Sequence, residues 1–264
     1  MNIGYSRGNP SFTRDFFILV TAVVFLLVLL CSWIIFETYN DHKDRILKQL
    51  ETEATRIDRT LILEIEQSSY LLESLGRQIL HFGADDKEAI ARLLRSFDTK
   101  DTVNFLFGWI DQDQALVVSS TRGVMSKGID VSDRDYMKKS ISEPWQIQLG
   151  RPVEGRVSGR WVLPLALGIN DYTGKYIGTI LVSIDIEGLT AKISTSASIP
   201  SLSFGIITDN YQTVTETSAQ PNFISRYFPV DRLRTIDLQQ SGSVSDDKDE
   251  LLTYNQKSSK YPFI

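Results

Sequence analysis

The sequence predicts an α+β protein on a membrane anchor: one N-terminal transmembrane helix, a long stalk helix, then two antiparallel-sheet subdomains, the second incomplete. Three observations lead there. Residues Phe16 to Phe36 carry no charged side chain. The apolar positions that follow recur at steps of three and four as far as Leu80. Beyond His81 the period shortens, in runs rich in β-branched and aromatic residues separated by turn-forming clusters.

The run FFILVTAVVFLLVLLCSWIIF spans roughly 30 Å as a helix, the thickness of a bilayer's hydrocarbon core. A cleaved signal peptide has a shorter apolar region, about 7 to 15 residues, ending at small residues. This run ends instead in Trp33-Ile34-Ile35-Phe36, and Cys31 follows the bulky Leu30, unlike a lipoprotein processing site. Arg7 and Arg14 lie in the tail 1–15, and basic residues in short flanks stay cytoplasmic. The expectation is a single-pass inner-membrane protein with a cytoplasmic N-terminus, a transmembrane helix at 16–36 and a periplasmic bulk.

Composition narrows the class. With 42% hydrophobic and 23% charged residues the chain can bury a globular core. Its net charge of −5 is spread without a basic stripe, which excludes nucleic acid as a partner. Cys31 is the only cysteine, so no intrachain disulfide can form and stability rests on packing.

From Glu37 the residues Ile46, Leu50, Ala54, Ile57, Leu61, Ile65, Leu72, Leu75 and Ile79 form one helical stripe with charged side chains between them. This predicts a stalk helix at 37–80. The stripe can face a partner helix or the chain's own domain; using both, the lower stalk forms a homodimer and the upper stalk carries a sheet. After the break at His81-Phe82-Gly83-Ala84, Asp85 and Asp86 cap a short helix from Lys87 to Phe97. Strands follow at Val103–Ile110 and Ala115–Ser120 around an Asp-rich turn, then at Trp161–Leu167 and Tyr176–Ile186 around Asn170–Lys175. Pro164 predicts an edge or a bulge in its strand. These elements form a first unit, 81–193, closed by a helical turn at Gly188–Ile193. A second unit, 194–264, contains a Ser/Thr-rich loop to Ser201, strands at Ser203–Asp209, Gln212–Thr217 and Glu250–Asn255, and a short helix at Phe223–Leu233. The residues Lys260 to Ile264 read as the opening of a further strand.

Enzyme signatures are missing. His42 and His81 lie far apart with no cysteine or His-Glu cluster beside them, so no metal site is expected. Gly150, Gly155 and Gly159 lack the spacing and the following Lys-Ser/Thr of a phosphate loop. Asp133-Arg134-Asp135 has no Asp-Phe-Gly or phosphate-pairing lysine strand to make it a kinase catalytic loop. Neither catalysis nor a cofactor is expected.

The segment from Val131 to Ile186 stands out. Asp133-Arg134-Asp135-Tyr136, Gly150-Arg151-Pro152-Val153, Ser158 to Pro164, Gly174 to Gly178 and Ser183-Ile184-Asp185 together resemble the double Cache domain. Double Cache domains are PAS-like extracytoplasmic sensors of bacterial histidine kinases, diguanylate cyclases and chemoreceptors. The resemblance implies a stalk helix, a membrane-distal unit that binds a small molecule and a membrane-proximal unit that relays the signal. It also implies a pocket formed by Arg134, Tyr136, Trp161 and Asp185. Arg134 can clamp a carboxylate, Asp185 can hold an amine, and Tyr136 with Trp161 can wall the site. Equally, Arg134 can pair with Asp133, Asp135 or Asp185 while Trp161 serves the core, and Arg151 and Arg160 also bear on the charge of the pocket. Asp133 and Asp135 stand where amino-acid-binding members have Arg and Trp, which leaves the ligand class open. A second membrane helix and an output domain are not found in this sequence, so the expectation is a truncated receptor. The alternative is a stand-alone protein that modulates a full-length receptor through its stalk.

Overall fold

The computed structural model describes residues 10–97, 105–195, 202–217, 242–246 and 251–264 of the chain. Helix α1 (Pro10–Phe82) runs unbroken for 73 residues, so the expected transmembrane and stalk helices are one continuous helix. The sequence explains this: after Pro10 no proline interrupts it, and its single glycine is Gly76. The side chains from Phe16 to Phe36 are all exposed, and the helix is long and apolar enough to cross a membrane.

The upper part of the stripe is the keystone of the core. Leu61, Ile65, Leu72, Leu75 and Ile79 are at most 2% exposed. Full burial of each such side chain contributes about 1.5 to 3 kcal/mol. The lower members Ile46, Leu50, Ala54 and Ile57 are half-buried. Strand β11 (Leu251–Asn255) of the second unit packs on α1, with Tyr254 close to Glu51. Of the lower members, Ile57 packs against the core.

Helix α2 (Lys87–Ser96) starts where expected, with the Asp86 carboxylate accepting the Ala89 N–H at 2.9 Å. The first unit is a seven-stranded antiparallel sheet. Its strands are β1 (Phe105–Ile110), β2 (Ala115–Ser119), β3 (Gly123–Asp130), β4 (Ile147–Leu149), β5 (Val153–Glu154), β6 (Trp161–Asn170) and β7 (Tyr176–Asp185). Their order is β3-β2-β1-β7-β6-β4, with β5 also pairing with β6. Alternation sorts the side chains onto two faces. Phe105, Phe107 and Trp109, with Leu163, Leu165 and Leu167 and with Ile180, Val182 and Ile184, pack toward α1 and α2. The opposite face presents Leu116, Ala166 and Leu181 to helix α3 (Asp135–Ser142), which buries Tyr136 and Met137 there.

Strand β6 is interior rather than an edge, and Pro164 fits because of what lies beside it. Its carbonyl accepts the Gly150 N–H at 2.8 Å, so its missing donor faces the gap between β4 and β5, where no ladder bond is lost.

Helix α4 (Ile186–Thr195) continues directly from β7, extending the helical turn expected at Gly188–Ile193. Its Lys192 bonds to the buried Glu64 of α1, and its Thr190 hydroxyl meets Thr215. Strands β8 (Phe204–Ile207) and β9 (Thr213–Thr217) form one hairpin, and β10 (Gly242–Asp246) and β11 (Leu251–Asn255) another. Among the described residues the second unit is thus two separate two-stranded sheets, in place of one small sheet. The helix expected at Phe223–Leu233 lies outside the described residues. The segment read as a strand opening finds a partner: Ile207 and Ile264 exchange both backbone hydrogen bonds at 2.9 Å, and Phe263 joins the core.

Candidate functional site

The residues singled out in the sequence fall in two places. The first lies under α3, on the sheet face away from the stalk. Arg134 occupies the N-cap position in an extended conformation, and its guanidinium donates to the Glu154 carbonyl at 3.1 Å. Two residues on, Tyr136 is 6% exposed and lies against Gly150. Arg156 bonds to the Asp133 carboxylate at 2.7 Å and also donates to the Asp130 carbonyl, tying the β5–β6 loop over the start of α3. Together they enclose a cavity of about 60 Å³. Its floor is Leu106, Leu116, Val162, Pro164 and Leu181, its polar groups Ser119, Ser158 and Ser183, and its cationic wall Arg134 and Arg156.

Electrostatics fits this layout. The Arg156 hydrogen bond holds the Asp133 carboxyl below the usual carboxylate range. Burial raises the Tyr136 phenol, while Arg134 and Arg156 draw it back down. The phenol therefore stays neutral and can donate a hydrogen bond beside two guanidinium groups, an arrangement suited to an anionic oxygen.

The second place is the C-terminal end of β7. Asp185 is 3% exposed, and its Oδ2 accepts from Arg160 at 3.2 Å. Its Oδ1 is buried with no hydrogen-bond partner among the described residues. A hollow of about 310 Å³ reaches this pair and shares Leu106, Ser158 and Val162 with the first cavity. On the other side the pair borders a groove of about 680 Å³ between the sheet, α4 and β9. Trp161 lies in that groove, 58% exposed. Its parity on β6 is that of Leu163 and Leu165, opposite to Val162, so it does not wall a site with Tyr136.

Arg134 and Tyr136 are thus brought together, Asp185 pairs with Val162 on the same sheet face, Trp161 stands on the opposite face although both border the groove beside α4, and Arg151 is exposed. Arg156 and Ser183 were not singled out by the sequence as site residues. Ser183 was within reach, because it alternates with Leu181 and Asp185 on one strand face.

Compared with known proteins, the sequence matches no family model. No curated protein matches it either. The fold, however, recurs among solved structures. The extracellular domain of the putative histidine kinase rpHK1S-Z16 superposes with a TM-score of 0.60 at 16% identity, over 84% of this chain and 92% of that one. The ligand-binding domain of Mlp24, solved with asparagine, gives 0.64 at 13% identity over 84% and 91%. That of the Campylobacter jejuni chemoreceptor Tlp3, in complex with 4-methylisoleucine, gives 0.61 at 14% identity over 80% and 85%. The fold of this chain is the fold of the extracellular ligand-binding domains of histidine kinases and chemoreceptors, as its likeness to double Cache sensors implied.

Proposed function

We propose that this chain is the sensor part of a signal-transducing receptor of the histidine kinase or diguanylate cyclase kind. It is anchored by residues 16–36 with its N-terminus in the cytoplasm and its bulk in the periplasm. Residues 81–193 are the membrane-distal ligand-binding unit, and 194–264 the membrane-proximal unit. The module senses and does not catalyse. The observation that carries this reading is the cavity under α3, where Arg134 and the neutral Tyr136 phenol stand over an apolar floor. A small carboxylate fits that chemistry, its oxygens on the guanidinium and phenol and its carbon skeleton on Val162 and Leu181. The amino acids bound by structurally similar domains carry the same group.

The test is a thermal-shift screen of small carboxylates and their amides on the full chain in lipid nanodiscs. At least one carboxylate should stabilise the protein, Arg134→Ala should abolish the effect and Tyr136→Phe should weaken it. Stabilisation by amides alone, or by none of the panel, refutes the assignment.

The receptor works as a homodimer along α1. Leu63 and Tyr70, seven residues apart on the helix side away from the core, are 53% and 72% exposed. Cysteines placed there should crosslink two copies in membranes. Crosslinks only to a different, full-length receptor would favour the modulator role.

A further inference from the structure

Helices α1 and α3 lie on opposite faces of the seven-stranded sheet, with the packed strands between them. The connection from α3 to the edge strand β4 passes round the side of that sheet. It is a turn, Glu143 to Gln146, closed by the Gln146 N–H on the Glu143 carbonyl at 3.3 Å. Pro144 takes the second place and Trp145 the third, with φ at +64°. A left-handed residue there is ordinarily glycine or asparagine, and a bulky side chain in that conformation is strained. Strain of this kind persists where the side chain is wanted in place. The Trp145 N–H is held by the Gly168 carbonyl at 2.8 Å, and its ring reaches α1, where a Cβ on Gly76 would lie 3.6 Å from Cζ3. Gly76 is the only glycine in α1, and its missing side chain leaves a buried notch that the ring shares with Leu167 and Ile169. Gly168 is also where α3 rests, the Ser140 carbonyl lying directly over its missing Cβ. Contacts thus run without a gap from Tyr136 in the cavity wall, along α3 to Ser140, and on through Gly168 and Trp145 to Gly76.

We propose that Trp145 is a coupling wedge with two positions, seated in the Gly76 notch or withdrawn from it, and that the position of α3 selects between them. Seated, the ring is packed against α1 while the backbone is held left-handed. Withdrawn, the backbone relaxes to negative φ and the ring, already 36% exposed, turns to solvent. The two states trade strain against burial, so a small shift of α3 tips the balance between them. The proposal rests on the carboxylate reading for its trigger alone: an anion that draws Arg134 and Tyr136 inward moves the helix from which the turn of Trp145 leaves.

The test moves α3 by substitution in the full chain in nanodiscs and follows amide hydrogen exchange in α3 and at positions 72–80 of α1. Gly168→Ala, and the milder Ser140→Ala, should speed exchange in both places by about threefold or more. Adding Trp145→Gly, which suits the turn and removes the ring, should keep the response of α3 and abolish that of α1, each measured against its own parent. Coupling is reciprocal, so Gly76→Leu, which fills the notch, should speed exchange in α3, and should not do so beside Trp145→Gly. A purely structural role for the ring would change the starting rates and leave these responses intact. An α1 that stays unchanged while α3 loosens, an α3 indifferent to Gly76→Leu, or responses that survive Trp145→Gly overturn the proposal. No ligand enters the experiment, so failure of every carboxylate to bind would leave the coupling standing, and failure of the coupling would leave the carboxylate site standing.

Discussion

Replacing Gly168 by alanine should dislodge α3 from the sheet. A Cβ at this position would lie 1.8 Å from the Ser140 carbonyl oxygen and 2.7 Å from its carbon, both backbone atoms that no rotamer change can move. Restoring ordinary contact near 3.5 Å requires α3 to withdraw by about 1.7 Å. That withdrawal breaks the buried Ser140–Thr179 hydroxyl bond of 3.0 Å, which contributes about 1 kcal/mol. Overpacking adds about 2 kcal/mol, for a total of about 3 kcal/mol. For a unit of this size the melting temperature should fall by about 6 to 12 °C. Carboxylate binding should weaken with it, since Tyr136 rides on the same helix. The assay is denaturant unfolding of Gly168→Ala alongside Lys138→Ala, an exposed site on α3 that should change stability by less than about 0.5 kcal/mol. If Gly168→Ala unfolds within that same margin of the unsubstituted chain, the close approach of α3 and β6 described here is wrong.

Other predictions concern the stalk and the charges. Leu75→Ala should cost about 2 to 5 kcal/mol because the side chain is fully buried against the sheet; Leu63→Ala should be near neutral in monomer unfolding and should weaken only the crosslinked dimer. Glu64→Gln breaks the bond to Lys192 but leaves a lysine that can turn to solvent, so a loss of about 1 kcal/mol by chemical denaturation is expected. Asp133 has a folded-state pKa below its unfolded value, so the stability it contributes is present above the ordinary carboxylate range, near pH 4, and is lost as pH falls toward the lowered folded value. Acid titration of the unsubstituted chain against Asp133→Asn, followed by unfolding midpoint, should show the two curves converging in that window.

The parts of this fold that were legible in the sequence are those held by local or strongly periodic patterns. The stripe from Leu61 to Ile79 repeats often enough to survive its charged neighbours, Asp86 marks the start of α2, and the β6–β7 hairpin carries its turn chemistry within a few residues. Helix α3 was not legible, because Arg134 provides no side-chain cap and only Tyr136, Met137 and Ser140 are buried along its two turns. Strand β3 was missed for a related reason: it lies at the sheet edge, so most of its side chains stay partly or fully exposed and its pattern is polar. The division of the candidate site was hidden for another reason. It depends on pairings across the sheet, Arg156 with Asp133 and Arg160 with Asp185, which separate residues by more than 20 positions. Only the place of Trp161 was within reach, since its alternation with Leu163 and Leu165 already sets it on the other face from Val162.

The continuity of α1 has a mechanical consequence. One hydrogen-bonded ladder runs from the apolar segment into the core with no proline after Pro10 and no glycine before Gly76, so the usual sites of kinking are missing below the sheet. From Glu37 to Phe82 the helix is roughly 70 Å long, and a tilt of about 3° at its upper end would sweep the lower end through roughly 3.5 Å. The sheet grips one end of a stiff lever, through Leu72, Leu75 and Ile79. A displacement too small to disturb the packing around those three residues would arrive, magnified, at the apolar end of the helix.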